Sequence, residues 1–195
     1  QDKTSGTATT PSTANATGVS WWPRQATGFT LSSNICFNVL TTADIAANVL
    51  RAAPFWVPET LTLDRIGIRI TGAGAGGAAC RVGLYRDNGN NYPDALVGEA
   101  AATVDGTSVS VQLLTVAYQL IRGLYWLVMN GNDATMDISS PGTAGKMFFL
   151  KNNETTGGAG WTVALAYGAF PAQFPTGGTD SGDVAYPFYR ILSYP

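Results

Sequence analysis

The chain contains no histidine. Ser-His-Asp and Cys-His nucleophilic arrangements therefore lack their base, and the commonest zinc ligand is missing. Charge is scarce as well: Asp, Glu, Lys and Arg make up 12% of the 195 residues, against about 25% in ordinary soluble domains. The 11 Lys and Arg residues stand singly rather than in a stripe, so there is no electrostatic footprint for nucleic acid or an anionic membrane surface. Long apolar runs are also absent. The longest compact one, "LYWLVM" at 124–129, falls far short of the roughly 18–20 residues of a membrane-spanning helix, so no membrane insertion is expected. Cysteine is limited to Cys36 and Cys80, which could form one disulfide but read better as two buried thiols.

In place of charge the sequence is rich in Gly, Thr and Ala, with 45% apolar residues. A neutral polar surface of this kind suits packing against copies of itself or against other proteins. Residues 1–20, "QDKTSGTATTPSTANATGVS", have almost nothing to bury and read as an extended arm or linker. A single domain is expected over 21–195. Because the chain begins with Gln1 rather than Met, it is expected to be a processed or excerpted piece of a longer product.

Period-two patterning dominates the domain. In "LDRIGIRIT" Ile66, Ile68 and Ile70 share one face, and Arg65, Gly67, Arg69 and Thr71 the other, as in a half-buried strand. The same alternation runs through Cys80, Val82 and Leu84, and through Val109, Val111 and Leu113. In "GLYWLVMN" both faces are apolar, which predicts a central strand or one beneath a subunit contact. The stretch 41–53, "TTADIAANVLRAA", could be helical, but the following Pro54 and Pro58 favour an extended segment. Spaced strands punctuated by Gly-, Asn- and Pro-rich turns predict an all-β fold, an antiparallel β-sandwich of jelly-roll-like type.

Gly72, Gly74 and Gly77 match G-x-G-x-x-G after a strand. A dinucleotide site needs a helix next, whereas "AACRVGLYRD" keeps alternating, so the glycines predict a hairpin connection. "DNGNNYPD" offers Asp87, Asn88, Asn90, Asn91 and Asp94 as oxygen donors that Ca²⁺ could accept. It lacks EF-hand spacing and a closing Glu, so it reads as a turn and no cofactor is expected. The 13 acidic residues leave paired-carboxylate glycoside hydrolysis open, provided two carboxyls converge about 5–9 Å apart in a groove. Most of them, Asp87, Asp94, Asp105, Asp133, Asp180 and Asp183 included, sit in turn-like stretches, and an enzyme is not expected.

Aromatic side chains are the more promising chemistry, since flat rings stack on sugars or anchor protein contacts. The candidates are Trp21, Trp22, Trp56, Trp161, Tyr92, Tyr167 and Phe170. Trp161 and Tyr92 stand out because each adjoins a Gly- or Asn-rich loop, and Asn91 joins them as a hydrogen-bonding neighbour.

Four stretches taken in order, "APFWVPETLTLDRIGIRIT", "CRVGLYRDNGNNYPDALVGEA", "QLIRGLYWLVMNGN" and "YGAFPAQFP", resemble a β-sandwich domain of tailed-bacteriophage structural proteins, the appendages of tail-fibre, spike or head-fibre type. The pattern positions are Pro54, Phe55, Asp64, Arg65, Ile66, then Arg81, Gly83, Tyr85, Asp87, Gly89 and Pro93, then Gly123, Tyr125, Trp126 and Leu127, and last Gly168, Pro171 and Phe174. The resemblance covers about residues 49–195 and leaves the arm unexplained. It implies a module on the virion surface that serves host attachment or decoration and has no catalytic residues. Its partners would be further copies of itself, with a homotrimer the leading expectation, other virion proteins and a host-surface glycan. The competing expectation is a secreted carbohydrate-binding module, which would present a coplanar pair of exposed aromatics.

Overall fold

The computed structural model describes residues 27–28, 30–32, 41–141 and 158–195. The N-terminal arm, Trp21, Trp22 and Cys36 lie outside the described residues. In chain order the strands are β1 (Thr30–Ser32), β2 (Thr41–Asp44), β3 (Val49–Val57), β4 (Leu61–Gly72), β5 (Ala79–Asp87), β6 (Pro93–Glu99), β7 (Val104–Asp105), β8 (Val111–Leu120), β9 (Gly123–Gly131), β10 (Asp137–Ser140), β11 (Gly160–Ala164), β12 (Thr179–Ser181) and β13 (Phe188–Ser193). They form two antiparallel sheets packed face to face, a β-sandwich, with no helix among the described residues. One sheet runs β1-β13-β4-β10-β2 with β8 beside β4; the other runs β12-β11-β3-β9-β5-β6 with β7 beside β5.

β4 organises the first sheet because its alternation gives it one wholly apolar face. Leu63, Ile66, Ile68 and Ile70 are each 0% exposed. A register shift between Leu63 and Arg65 resets the alternation so that both halves of the strand point the same way. Facing them across the sandwich are Phe55, Val82, Leu84, Tyr125, Leu127 and Met129 of the second sheet. Full burial of each such side chain contributes about 1.5–3 kcal/mol.

The segment 41–53 is extended, as the prolines predicted: it supplies β2 and the start of β3. Pro54, which cannot donate to a ladder, falls just beyond the Val49–Ala52 stretch that β11 covers. β9 lies between β3 and β5 and is central, so both its apolar faces are used within the chain. The Tyr125 hydroxyl donates to Ile121 O at 3.1 Å and accepts from Ile121 N at 3.2 Å, which ties down the β8–β9 turn.

Two strand-level expectations are corrected. The glycine-rich 73–78 segment is not a hairpin: β4 and β5 belong to different sheets, and the segment crosses between them. Close packing there explains the small residues, since a Cβ on Gly74 would stand 2.6 Å from the Ala78 Cβ. In β8 the buried residues are Leu114, Val116 and Leu120, whereas Val111 is 44% exposed and Val109, just before the strand, 57%. Pairing decides this, because Leu114 sits opposite the inward Ile66 and Leu113 opposite the outward Gly67.

Cys80 is a buried free thiol whose Sγ lies 3.8 Å from Met136 Sδ. Burial pushes it up to about 12, although the Arg51 charge acts the other way, so it behaves as a small core hydrophobe.

Candidate functional site

The outer face of the second sheet carries its own core of Leu50, Tyr85, Trp126, Val128, Phe170, Phe174 and Val184. The segment 165–178, which contains "YGAFPAQFP", straps across it. Asn130 begins the attachment by donating Nδ2–H to Leu165 O at 3.0 Å. Along β6 the strap pairs by backbone, Leu96 N to Ala172 O at 2.9 Å and Phe174 N to Asp94 O at 2.8 Å.

Four alternate residues of β5 meet this strap or its floor. Arg81 pairs with Glu99, and Glu99 Oε2 accepts the Phe170 N–H at 3.0 Å. Gly83 leaves room for the Phe170 ring, which a Cβ there would approach to 2.9 Å. Tyr85 donates its hydroxyl to Pro171 O at 2.6 Å and meets Phe174 edge to face, with ring centroids 5.5 Å apart. Asp87 Oδ1 accepts the indole N–H of Trp126 at 2.8 Å. The R-x-G-x-Y-x-D spacing and the late G-x-x-P-x-x-F segment are thus two halves of one packing arrangement, which the period of two places on one face.

The three site residues singled out from sequence come together at the end of this arrangement. The 88–92 loop closes the β5–β6 hairpin, with Gly89 at φ 87° and Asn91 at φ 59°. Trp161 donates its indole N–H to Asn91 O at 2.7 Å. The Tyr92 ring meets Trp161 with centroids 5.0 Å apart and planes at 61°. The Tyr92 hydroxyl donates to Pro175 O at 2.7 Å and accepts from Gly178 N at 3.0 Å. Tyr92 and Trp161 are both half-buried and meet edge to face, so they pin loop to strap and do not form a coplanar platform for a sugar. Phe170, part of the strap itself, is buried against Gly83, and Trp56 and Tyr167 are half-buried.

Two of the five oxygen donors considered for Ca²⁺ are engaged inside the hairpin. Asp87 Oδ2 accepts from Gly89 N at 2.7 Å and Asn88 Oδ1 from Asn90 N at 2.7 Å, which are side-chain-to-backbone turns. Asp44 and Asp137 face one another directly across β2 and β10. Burial raises the Asp137 carboxyl above its ordinary value, and its hydrogen bond with Asp44 and that group's charge push the same way.

A groove that sequence reading missed lies on the other flank of the same hairpin, at the end of the sandwich where it adjoins the β8–β9 turn. Its volume is about 260 Å³, and it is lined by Arg86, Arg122, Ile121 and Leu124 together with Asp87 and Gly89. Among the described residues neither arginine has a hydrogen-bond or ion-pair partner, whereas Arg65, Arg81 and Arg190 are all paired. Nothing in the local sequence couples Arg86 to Arg122; only the strand pairing of β5 with β9 brings them to one groove.

The chain matches no protein-family model and no curated protein.

Proposed function

We propose that the chain is a structural module of a tailed-bacteriophage virion, displayed on the particle surface as part of a fibre, spike or decoration protein. In this reading it works as a homo-oligomer, a trimer first among the options, seated among other virion proteins and turned toward the host. The observation that carries the reading is the edge of β8. Ten residues long, "VQLLTVAYQL" has neither a charged residue nor proline, and among the described residues it pairs with β4 alone. Natural sheets blunt their edges with charges, prolines, short strands or covering loops, because an unprotected edge recruits another chain. The other edges here follow that rule: β1, β2 and β12 are three or four residues long, and β6 is covered by the strap. A β8 edge that no described strand covers, with Val109 and Val111 exposed along it, suits a subunit contact. The fibre-type pattern and the low charge support the same reading.

The secreted carbohydrate-binding alternative receives less support, because Tyr92 and Trp161 spend their faces and polar atoms on each other and on the strap.

The test is the mass of the chain in solution by light scattering, with and without residues 1–20. A trimer or larger species that dissociates without the arm supports an appendage tied together by its arm. A monomer in both forms counts against the reading.

A further inference from the structure

We propose that the groove between the β5–β6 hairpin and the β8–β9 turn binds one acidic sugar unit, with its carboxylate held by Arg86 and Arg122. The proposal builds on the host-facing reading above and supplies the ligand chemistry it leaves open. Guanidinium groups present a planar fork of donors that matches a carboxylate, and they remain charged at every accessible pH. Arg86 and Arg122 are exposed, have no partner among the described residues, and line the same groove. The one acid in the lining, Asp87, does little to satisfy them from within. Asp87 turns one carboxylate oxygen to the Trp126 indole and the other to the Gly89 amide, which leaves two cations against one occupied anion.

Size and lining narrow the ligand further. A volume of about 260 Å³ lies below the roughly 300–1,000 Å³ of pockets that enclose drug-sized ligands. A groove of that size suits a single sugar unit rather than a longer oligosaccharide. Ile121 and Leu124 supply apolar surface for the C–H face of a ring, and Gly89 and Gly123 put no side chain in the way. An extended polyanion such as nucleic acid would need a run of cations, and the chain has none. Binding at one such site is expected in the millimolar range, and oligomeric display would multiply it through effective concentration.

The test is an amide-resolved NMR titration of the full chain with D-glucuronate, D-glucose and inorganic phosphate, repeated on Arg86→Ala, Arg122→Ala and, as a control outside the groove, Arg69→Ala. The expected result is saturable shifts at Gly89, Gly123 and Leu124 with glucuronate. Affinity should drop by about tenfold or more for glucose and for either groove variant, the lower end of what a hydrogen bond to a charged group contributes. Arg69→Ala should bind as the parent does. The inference is overturned by equal binding of glucose and glucuronate, by phosphate binding as tightly as glucuronate, by shifts that survive both groove substitutions, or by no shifts at all. Because the titration reads one site regardless of assembly, a monomeric mass would sink the multimer reading without affecting this result, and the reverse also holds.

Discussion

The indole N–H of Trp126 and the carboxylate of Asp87 meet at 2.8 Å between adjacent strands β9 and β5. Trp126 is 0% exposed, and Asp87 is the partner that satisfies its N–H in the folded chain. The other Asp87 oxygen holds the Gly89 amide and hence the start of the hairpin loop. One side chain thus connects the outer core to the turn that shapes both the Tyr92–Trp161 contact and the arginine groove.

Asp87→Ala should therefore cost about 1–3 kcal/mol, the penalty of a buried donor left unsatisfied. Asp87→Asn retains an acceptor oxygen and should recover most of it. Chemical denaturation followed by Trp fluorescence measures both, and equal losses for the two variants would contradict the hydrogen-bond account.

A second prediction concerns how the strap seats. A methyl on Gly83 would stand 2.9 Å from the Phe170 ring and 2.8 Å from Gly98 O, so Gly83→Ala overpacks the floor at a cost of about 1–3 kcal/mol. The strap should loosen with it, seen as faster proteolysis within 165–178. Gly76→Ala meets nothing within 4 Å and should leave both readouts unchanged.

The same residues show which features can be read without coordinates. Ile66, Ile68 and Ile70 announce their face because a half-buried strand alternates regardless of what it packs on. Val111 misled for the opposite reason: the face it occupies depends on pairing with β4, which local pattern does not encode. The glycine run 73–78 reads as flexible whether it reverses within a sheet or crosses between sheets. Arg81, Gly83, Tyr85 and Asp87 stood out as a spacing, yet the first three serve Phe170, Pro171 and Phe174, some 80–90 residues away, and Asp87 serves Trp126 on the neighbouring strand, all beyond the reach of any window. Tyr92 and Trp161 were legible one by one as loop-adjacent aromatics, but their meeting with Asn91 and their edge-to-face geometry were not. Arg86 and Arg122 were each unremarkable singletons until strand pairing set them on one groove.

Asp137 provides a pH test with a definite sign. Its folded-state carboxyl lies above the ordinary 3.8, through burial first and Asp44 second. In the window between 3.8 and that raised value the native state holds more protons than the unfolded chain. Stability contributed by this pair is therefore present at low pH and lost as pH rises through the window. Asp137→Asn should stabilise the fold above it by about 0.2–1 kcal/mol, the range for a cross-strand charge pair, with no gain once the pH is below 3.8. Asp64 runs the other way, held low chiefly by its hydrogen bond from Arg190, and its contribution is lost as the medium becomes acid. The difference between the Asn variant and the parent across a pH series of thermal melts isolates Asp137, because Asp64 is common to both.

The edge of β8 yields the last prediction, one that separates assembly from folding. Val111 and Thr115 both lie on its outward, exposed face, clear of the inward Leu114 and Val116. Lysine at these positions is the device by which natural edge strands refuse a partner. Val111→Lys combined with Thr115→Lys should reduce the mass in solution to that of one chain. Surface substitutions away from packed features usually change stability by no more than about 0.5 kcal/mol, so the melting temperature of the dissociated subunit should reflect only the lost association. An oligomer that persists with both lysines in place would mean that subunits meet elsewhere. A chain that unfolds on dissociation would mean that the β8 face is part of an obligate core shared between subunits.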